Sequence, residues 1–317
     1  MKIVFCGTPK FAVPTLQALL AAGHDIPLVV SQPDRPVGRT QELTAPPVKQ
    51  AALDAGLSVT QPEKIRNNEK FRARLENIAP DVIVVVAYGR IIPPWMLALP
   101  RLGCINLHAS LLPKYRGAAP IQWAVAMSET VTGNTTMLLE EGLDTGPILL
   151  QQAYAIRPEQ TAVDLFDELA VHGAPLVVET LAGLDDGSIL PRAQDDSGAT
   201  LAPILRRDDG RMDFATRTAA ELHNRWRGFQ PWPGAFTSFD GKKLIVHRMA
   251  AVHPAQLGIV TSDPGLALVE DHRLFVSCAQ GTWLELIEVQ LEGKKRISAA
   301  DFLRGLHSSA LAKLRLG

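Results

Sequence analysis

The sequence is poor in cysteine and contains no long apolar segment. Its 317 residues include three cysteines, Cys6, Cys104 and Cys278, which are too few and too far apart for a disulfide framework or a cysteine-based metal site. Its apolar runs are much shorter than the ~20 residues of a membrane-spanning helix. We therefore expect a cytoplasmic protein with buried thiols, without a metal and without a contact to the membrane.

The chain also lacks an excess of one charge and the glycine fingerprint of dinucleotide-binding enzymes. It has 32 Lys and Arg against 33 Asp and Glu, a net charge of −1. The turn Gly7-Thr-Pro9 does not continue as Gly-x-Gly-x-x-Gly, which argues against a nicotinamide-dependent enzyme. The charge is unevenly divided: residues 1–205 hold 16 basic and 21 acidic residues, and residues 206–317 hold 16 and 12. The second part is thus basic by +4, which is compatible with a nucleic-acid contact.

Residues 1–187 alternate short β-rich runs with amphipathic segments, which is typical of an α/β domain. The run Val82–Ala87 is apolar at every position, as in a parallel strand covered on both faces. The pattern predicts a doubly wound, Rossmann-like N-terminal domain whose ligands bind beyond the carboxyl ends of its strands. The predicted strands are Lys2–Cys6, Ile26–Val30 and Asp81–Ala87, and the predicted helices are Val13–Ala22, Val48–Ala55 and Asn68–Ile78.

Residues 188–206 are irregular and are predicted to form a linker. After them, the pattern predicts one helix, Thr218–Gly228, and then a series of short strands. Strands at this spacing are typical of a small barrel, so residues 207–317 are predicted to form a smaller β-barrel domain. The predicted strands are Ala235–Phe239, Leu244–Met249, Leu266–Val269, Leu274–Ser277 and Trp283–Val289.

The segment Cys104–Trp123 carries the residues best suited to catalysis. In a strand over residues 104–108, Asn106 and His108 project from the same face. An amide and an imidazole side by side at the end of a strand can polarise one small electrophile. Asp144, in Gly142-Leu-Asp-Thr-Gly146, can complete a site for proton transfer. The alternative is an ordinary hydrogen-bonded pair at a strand end.

The loop after this strand is long and stiffened by proline. Ser110-Leu-Leu-Pro113 and Arg116-Gly-Ala-Ala-Pro120 precede a helix that is predicted to begin at Trp123. Such a loop beside polar groups at a strand end is more typical of ligand binding than of a simple connection. Cys104 is the nearest candidate nucleophile, but a buried structural thiol is the simpler interpretation of it.

These motifs resemble those of the formyltransferases that use 10-formyltetrahydrofolate, and above all those members that act on methionyl-tRNA. The resemblance rests first on Asn106-x-His108-x-Ser110-Leu-Leu-Pro113, Tyr115-Arg-Gly-Ala-Ala-Pro120 and Asp144. It continues in order and at compatible spacing through Gly7-Thr-Pro9 with Phe11, Ser31-Gln-Pro-Asp-Arg-Pro36 with Gly38-Arg39, Val84-Val-Val-Ala-Tyr-Gly89, and Asn224–Pro233 around Trp232.

The resemblance implies an OB-like C-terminal domain and 10-formyltetrahydrofolate as the formyl donor, without a metal. It implies folate contacts at Val86, Tyr88 and Gly89, and at Ser110, Leu111, Leu112 and Pro113. For the transfer itself, we hypothesise that N–H groups of Asn106 and His108 stabilise the negative charge that develops on the formyl oxygen. Asp144 would orient His108 and accept the proton of the attacking amine, and protonated His108 would protonate the departing nitrogen.

The implied acceptor is the initiator methionyl-tRNA, bound by a monomer. In the family, a loop similar to residues 32–47 reaches the acceptor stem, which implies tRNA contacts at Arg35 and Arg39. Two departures weaken this pattern: Thr40-Gln41-Glu42 stands where lysines are common, and Ile204 stands where a lysine is usual, with Arg206 and Arg207 able to replace its charge. Further candidate contacts, for which solvated turn residues are the alternative, are Lys242, Lys243, Arg248, Lys294, Lys295 and Arg296.

Three other functions compete with tRNA formylation. The same chemistry could serve a nucleotide-linked amino sugar, but the loop Asp34–Arg39 and the segment Asn224–Pro233 favour tRNA. Hydrolysis of formylfolate would usually lack a basic barrel domain. A non-catalytic RNA-binding protein with the same fold would have no need to keep Asn106, His108 and Asp144 together.

Overall fold

The computed structural model describes residues 1–38, 41–253, 263–307 and 314–317. The chain divides into two compact units. The first comprises Met1–Ile121, Val131–Ile156 and Asp164–Pro203, and the second comprises Gln122–Thr130, Arg157–Val163 and Ile204–Gly317. None of the helices in the described part of the chain is long and apolar enough to cross a lipid bilayer.

A seven-stranded sheet forms the centre of the first unit. The strands before residue 156 are β1 (Lys2–Gly7), β2 (Asp25–Val30), β3 (Arg35–Val37), β4 (Glu42–Thr44), β5 (Val59–Thr60), β6 (Val82–Val86), β7 (Cys104–His108), β8 (Val131–Leu138) and β9 (Ile148–Ala155). The order in the sheet is β5–β2–β1–β6–β7–β8–β9, while β3 and β4 form a separate antiparallel hairpin. Five neighbouring strands of this sheet are parallel: β5, β2, β1, β6 and β7. Strands β8 and β9 follow β7 and pair antiparallel at that edge.

Helices follow or connect these strands as the α/β pattern predicted. They are α1 (Val13–Ala21), α2 (Pro47–Asp54), α3 (Glu69–Ile78), α4 (Pro94–Leu97), α5 (Pro120–Ala126) and α6 (Ala162–Asp185). The prediction that α5 begins at Trp123 was wrong by three residues. Proline has the backbone torsion of a first helical residue and needs no hydrogen-bond acceptor for its nitrogen, so the helix begins at Pro120.

Both faces of the sheet are covered. In β1, Ile3, Val4, Phe5 and Cys6 are all fully buried, although alternate residues of a strand point to opposite faces. One face packs against α3 and α4, and on the other face Gly173 of α6 approaches the side chain of Leu107 in β7. Burial on both faces confirms the expectation of a parallel-rich sheet between helices.

The second unit contains an antiparallel sheet with its own core. Its elements are α7 (Ala219–Gly228), β10 (Ala235–Phe239), β11 (Lys242–Val252), β12 (Ala267–Glu270), β13 (Arg273–Ser277), β14 (Trp283–Leu291), β15 (Ile297–Ser298) and α8 (Ala299–Arg304). The order is β10–β11–β14–β13–β12, and β15 pairs with β14. Leu222 of α7 and Phe302 of α8 pack with the buried side of the sheet. The prediction of a separate, smaller β domain is therefore confirmed.

Part of the predicted linker is hydrogen-bonded to the first unit. Arg192 forms two backbone hydrogen bonds with Ile148 at the start of β9, of 2.9 and 2.8 Å. The backbone of Thr200 and Ala202 is likewise paired with the loop that follows β7. Residues 192–202, named the strap below, therefore run along the loops that carry the candidate catalytic residues.

Candidate functional site

Asn106 and His108 lie at the carboxyl end of β7, where the parallel part of the sheet meets its antiparallel edge. Asn106 is opposite Val85 of β6 and Met137 of β8, and His108 is opposite Thr135 of β8. Asn106 is partly exposed, and its side chain has no hydrogen-bond partner among the described residues. Its amide is therefore available to a ligand at this end of the sheet.

His108 is buried, and protein groups lie beside both of its ring nitrogens. Nε2 lies 2.9 Å from the carbonyl oxygen of Tyr115, and because a carbonyl only accepts, Nε2 carries a proton and donates it. Nδ1 lies 3.7 Å from Asp144 Oδ2, which is longer than a hydrogen bond. In the neutral ring, Nδ1 then bears the lone pair. The hypothesised N–H donation from His108 to a substrate therefore requires the charged ring.

Asp144 is held in place by the loop that follows β7. It lies between β8 and β9 with a φ of 52°, a left-handed conformation that few non-glycine residues adopt. The backbone N–H of Gly117 donates to Asp144 Oδ2 over 2.8 Å. The carboxylate is therefore fixed beside His108, and Asn106 lies two residues before His108 on the same strand.

Two features of residue 117 favour glycine. Its φ is 126°, which side chains with a Cβ rarely adopt. A Cβ added at this position would lie 2.6 Å from the carbonyl oxygen of Ala202 in the strap. The glycine within Tyr115–Pro120 thus allows the loop to approach both the strap and Asp144.

The strap holds the loop after β7 and the loop of Asp144 at once. Its Gln194 accepts from Arg116 Nε and Nη2 over 3.0 and 2.8 Å, and donates to the carbonyl oxygens of Asp144 and Gly146 over 2.8 and 2.7 Å. Arg116 is buried and also donates to Asp196. Gln194 was not among the predicted site residues, because an isolated polar residue in an irregular stretch carries no periodicity or motif.

The predicted folate loop is built largely into the protein. Leu112 packs in the core with Met137 and Ile148. Its N–H donates to Thr135 Oγ1 over 3.1 Å, and its carbonyl accepts from Gln151 Nε2 over 2.8 Å. The remaining residues of this loop differ in exposure: the Ser110 hydroxyl is buried and donates to the Lys114 carbonyl over 2.6 Å, and Leu111 and Pro113 are partly exposed. Thr135 and Gln151, which were not among the predicted site residues, thus shape this loop.

The other predicted folate segment follows β6. Val86 and Tyr88 are buried, and burial raises the pKa of Tyr88 well above its ordinary value. The Tyr88 carbonyl accepts from Thr8 Oγ1 and Gln32 Nε2, over 3.0 and 3.2 Å. Gly89 is exposed and has a φ of 80°. The groups that this segment presents to solvent are therefore those of Ala87 and Gly89 rather than the side chains of Val86 and Tyr88.

The predicted tRNA-binding cations occupy different surroundings. Arg35 is exposed on β3, and Arg39 lies outside the described residues. Lys242 is exposed at the start of β11, whereas Lys243 lies with its Nζ 3.7 Å above the Phe236 ring. Burial and the nearby charge of Arg207 lower the pKa of Lys243. Phe236 and Arg207 therefore belong to the same surface as this lysine.

The remaining cations of this set are gathered around the end of β14. Arg248 is exposed and pairs in register with Glu288 of β14. Arg296 Nε donates to Glu288 Oε2 over 2.9 Å, and this contact holds the pKa of Glu288 below its usual range. Lys294 and Lys295 are exposed in the turn before Arg296. The structure thus brings these residues together, with one carboxylate among them.

Cys104, the thiol of strand β7, is not placed to act as a nucleophile. Cys104 is buried, its Sγ lies 3.4 Å from the Met96 carbonyl, and burial raises its pKa to about 12. Such a thiol is not a nucleophile near neutral pH. Within residues 1–38, 41–253, 263–307 and 314–317, no group of three or more His, Cys, Asp or Glu is arranged to hold a metal ion.

Comparison with known proteins gives the class of the chain. The family model for formyl transferase matches residues 1–181, and the model for the formyl transferase C-terminal domain matches residues 204–307. Together with the fold and the site, these matches define an enzyme that transfers formyl groups: the chain belongs to the formyl transferase family. The family predicted from the motifs is therefore confirmed.

Full-length relatives narrow the class further. The methionyl-tRNA formyltransferase of Acidobacterium capsulatum is 64% identical over 317 residues, which cover 100% of both chains. Those of Koribacter versatilis and Solibacter usitatus are 56% and 51% identical and cover 99% and 100% of this chain, and 98% and 99% of theirs.

Solved structures share the fold at low sequence identity. A sugar 3N-formyl transferase, WlaRD, in the presence of dTDP and 5-N-formyl-THF has a TM-score of 0.64 and 18% identity, covering 93% of this chain and 99% of that one. HypX from Aquifex aeolicus in complex with tetrahydrofolic acid has a TM-score of 0.60 and 15% identity, covering 96% of this chain and 47% of that one. These likenesses show the fold of the chain.

Proposed function

We propose that this chain transfers the formyl group of 10-formyltetrahydrofolate to the α-amino group of methionyl-initiator tRNA and produces N-formylmethionyl-tRNA for translation initiation. The observation that carries this proposal is the 64% identity to a methionyl-tRNA formyltransferase over the whole length of both chains. The cluster of Asn106, His108 and Asp144 at the carboxyl end of β7 supports it from the side of the chemistry.

The reaction exchanges one carbon–nitrogen bond for another. The neutral α-amino group attacks the formyl carbon, a bond forms between them, and the bond from this carbon to N10 of the folate breaks. The amine loses a proton and N10 gains one, so the products are tetrahydrofolate and the formylated aminoacyl-tRNA. No group on the enzyme needs to form a covalent bond, which agrees with the buried state of Cys104.

The polar residues of the site suit the charges of this reaction. The free amide of Asn106 donates to the formyl oxygen while that oxygen carries negative charge, a role worth about 10²–10³ in rate. Asp144 accepts the proton of the amine, directly or through water. His108, charged and held by Tyr115, donates from Nδ1 to the oxygen and then to N10. A proton held by Asp144 returns to Nδ1 across the 3.7 Å between them.

The folate and the tRNA occupy different parts of the protein in this proposal. The folate contacts Ser110–Pro113 and the backbone after Val86. The tRNA contacts the 32–47 loop and the cations of residues 207–317, a domain whose long strand β11 shifts its pairing with β14 around Arg248, as a strand that bends into an OB-like barrel does. We place the catalytic domain at residues 1–187 and the linker at 188–206. We propose a cytoplasmic monomer, which sedimentation velocity would test.

The function is tested by release of tetrahydrofolate from 10-formyltetrahydrofolate with four acceptors in parallel. These are methionyl-initiator tRNA, the same tRNA without its amino acid, a nucleotide-linked amino sugar, and buffer. Turnover only with the charged initiator tRNA is the expected result. Turnover with the amino sugar, the kind of acceptor that two solved structures of this fold are named for or hold, would keep the chemistry and overturn the acceptor. Turnover in buffer would indicate a hydrolase.

A further inference from the structure

Gln194 of the strap makes a set of hydrogen bonds that uses its whole side-chain amide. Its oxygen accepts twice from Arg116, and its NH₂ group donates to two carbonyl oxygens, those of Asp144 and Gly146. A guanidinium group can only donate and a carbonyl can only accept. The orientation of the amide is therefore fixed by its neighbours, and rotation by half a turn would break all four contacts.

The oxygen and the NH₂ group of this amide contact two different loops of the site. Arg116 immediately precedes Gly117, whose N–H holds the Asp144 carboxylate. Asp144 and Gly146 belong to the loop between β8 and β9, in which Asp144 has a left-handed backbone. A left-handed aspartate is stable only when its surroundings favour that conformation. The Asp144 carbonyl is fixed by Gln194, and its carboxylate is fixed by Gly117.

We propose that Gln194 is a positioning residue for formyl transfer: it holds the backbone of residues 144–146 so that the Asp144 carboxylate faces His108. This proposal rests on the proposed function only in naming the reaction that depends on this geometry. The hydrogen bonds of Gln194 go to Arg116, Asp144 and Gly146 and not to Asn106 or His108, so it acts through the loop rather than on a reacting atom. Loss of its two donated hydrogen bonds should lower kcat and leave the Michaelis constant for the folate unchanged.

Two substitutions separate donation to the loop from the contact with Arg116. Gln194→Met keeps the length of the side chain and removes all of its hydrogen bonds. Gln194→Glu keeps an acceptor for Arg116 but cannot donate to the Asp144 and Gly146 carbonyls while it is ionised. We expect both variants to lose kcat by on the order of 10- to 100-fold. If Gln194→Glu retains full kcat and only Gln194→Met loses it, the bracing of Arg116 is what matters and the proposal is wrong.

Two other glutamines serve as comparisons. Gln50 is exposed and donates to Asp54 on α2, so Gln50→Met should leave kcat unchanged. Gln151 donates to Leu112 in the predicted folate loop, so Gln151→Met should raise the Michaelis constant for the folate more than it lowers kcat. Equal losses of kcat in the Gln194 and Gln50 variants would overturn the proposal.

Hydrogen exchange tests the same inference without a substrate. In the Gln194→Met variant, the amides of residues 142–146 should exchange about tenfold faster, and the exchange of β6 should change less. Unchanged exchange in this loop would overturn the proposal. Because this readout needs no catalysis, faster exchange in a protein that formylates none of the acceptors would support the role of Gln194 while the proposed function failed.

Discussion

The site around β7 and the cationic surface of the second unit are built in opposite ways. In the site, His108, Arg116 and Gln194 each contact named partners, and a carboxylate is fixed by a backbone N–H. On the cationic surface, Lys294 and Lys295 project into solvent, and the charge of Arg296 is partly neutralised by Glu288. One region fixes a few polar atoms, and the other presents many charges with loose geometry.

The difference follows from what each region has to recognise. A transition state has one specific arrangement of charges, so the protein groups that donate hydrogen bonds to it must be fixed before the substrate arrives. A phosphate backbone is a repeated charge, and its binding free energy is spread over several cations that release counterions. Single substitutions should therefore have large effects on turnover in the first region and small, salt-dependent effects on affinity in the second.

Asp144→Asn should have the largest effect. The amide has the size of the carboxylate and its oxygen can still accept from Gly117, so the fold should be retained. It cannot take up the proton of the amine, so we expect single-turnover formyl transfer to slow by about 10²–10⁴ with folate affinity nearly unchanged. Unchanged turnover would remove Asp144 from the mechanism.

Asn106→Ala should follow. The Asn106 side chain has no hydrogen-bond partner among the described residues, so its removal should cost little stability. The loss of turnover then measures the contribution of Asn106 to catalysis. We expect kcat to fall by about 10²–10³ with the unfolding midpoint unchanged, as measured by steady-state kinetics and thermal melting. A fall in stability without a loss of turnover would instead make Asn106 an ordinary structural residue at a strand end.

Gly117→Ala tests how tightly the loop is packed. The new Cβ meets the Ala202 carbonyl at a backbone conformation that alanine disfavours, so the free energy of unfolding should drop by about 1–3 kcal/mol. Gly187→Ala is the matched control, since Gly187 has a φ of 76° but no atom within 4 Å of an added Cβ. Chemical denaturation of both variants measures the two contributions. Equal losses would mean that backbone strain alone, and not the approach to the strap, requires a glycine at residue 117.

The sequence was sufficient to predict the elements that repeat and the residues that alternate. Unbroken apolar runs such as Val82–Val86 indicated buried parallel strands, and strand alternation placed Asn106 and His108 on one face. The predicted start of α5 at Trp123 was wrong because Pro120 was assigned to the loop, although its own backbone preference marks the first turn of the helix.

The contacts that position the site could not be predicted from the sequence. Arg116 and Gln194 are 78 residues apart, and nothing in an irregular polar stretch indicates its distant partners. His108 Nε2 carries a proton because it faces the Tyr115 carbonyl, and Tyr115 itself has a left-handed backbone with a φ of 61°. Both are properties of loops brought together by the sheet, and local patterns do not encode them.

The double variant Lys294→Ala, Lys295→Ala on the cationic surface should have a small effect on affinity for the tRNA. Each removes one exposed charge, so affinity for methionyl-initiator tRNA should fall a few-fold. The slope of its logarithm against that of salt should decrease by about 1 for each phosphate that the protein no longer neutralises. Kinetic constants for the folate should not change.

The matched control is the double variant Lys64→Ala, Lys70→Ala, which changes two exposed lysines of the first unit. Filter binding at several salt concentrations measures the salt dependence of tRNA affinity for both pairs of variants. The same slope for both pairs would exclude a specific role of the turn at residues 294–295.

Glu288→Gln should have the smallest effect, and in the opposite direction. The change removes the carboxylate that binds Arg296 and frees a positive charge, so affinity for the tRNA should rise about two- to threefold at low salt and return to the parent value at high salt. Because Arg296 lowers the pKa of Glu288, the parent protein keeps this carboxylate charged at neutral pH and loses its charge only as the pH falls through that lowered value. The gain should therefore shrink in acid. Glu285→Gln, which frees Arg273 on the neighbouring strand, is the control: a gain of equal size there would mean that tRNA responds to the net charge of the domain rather than to the surface around Arg296.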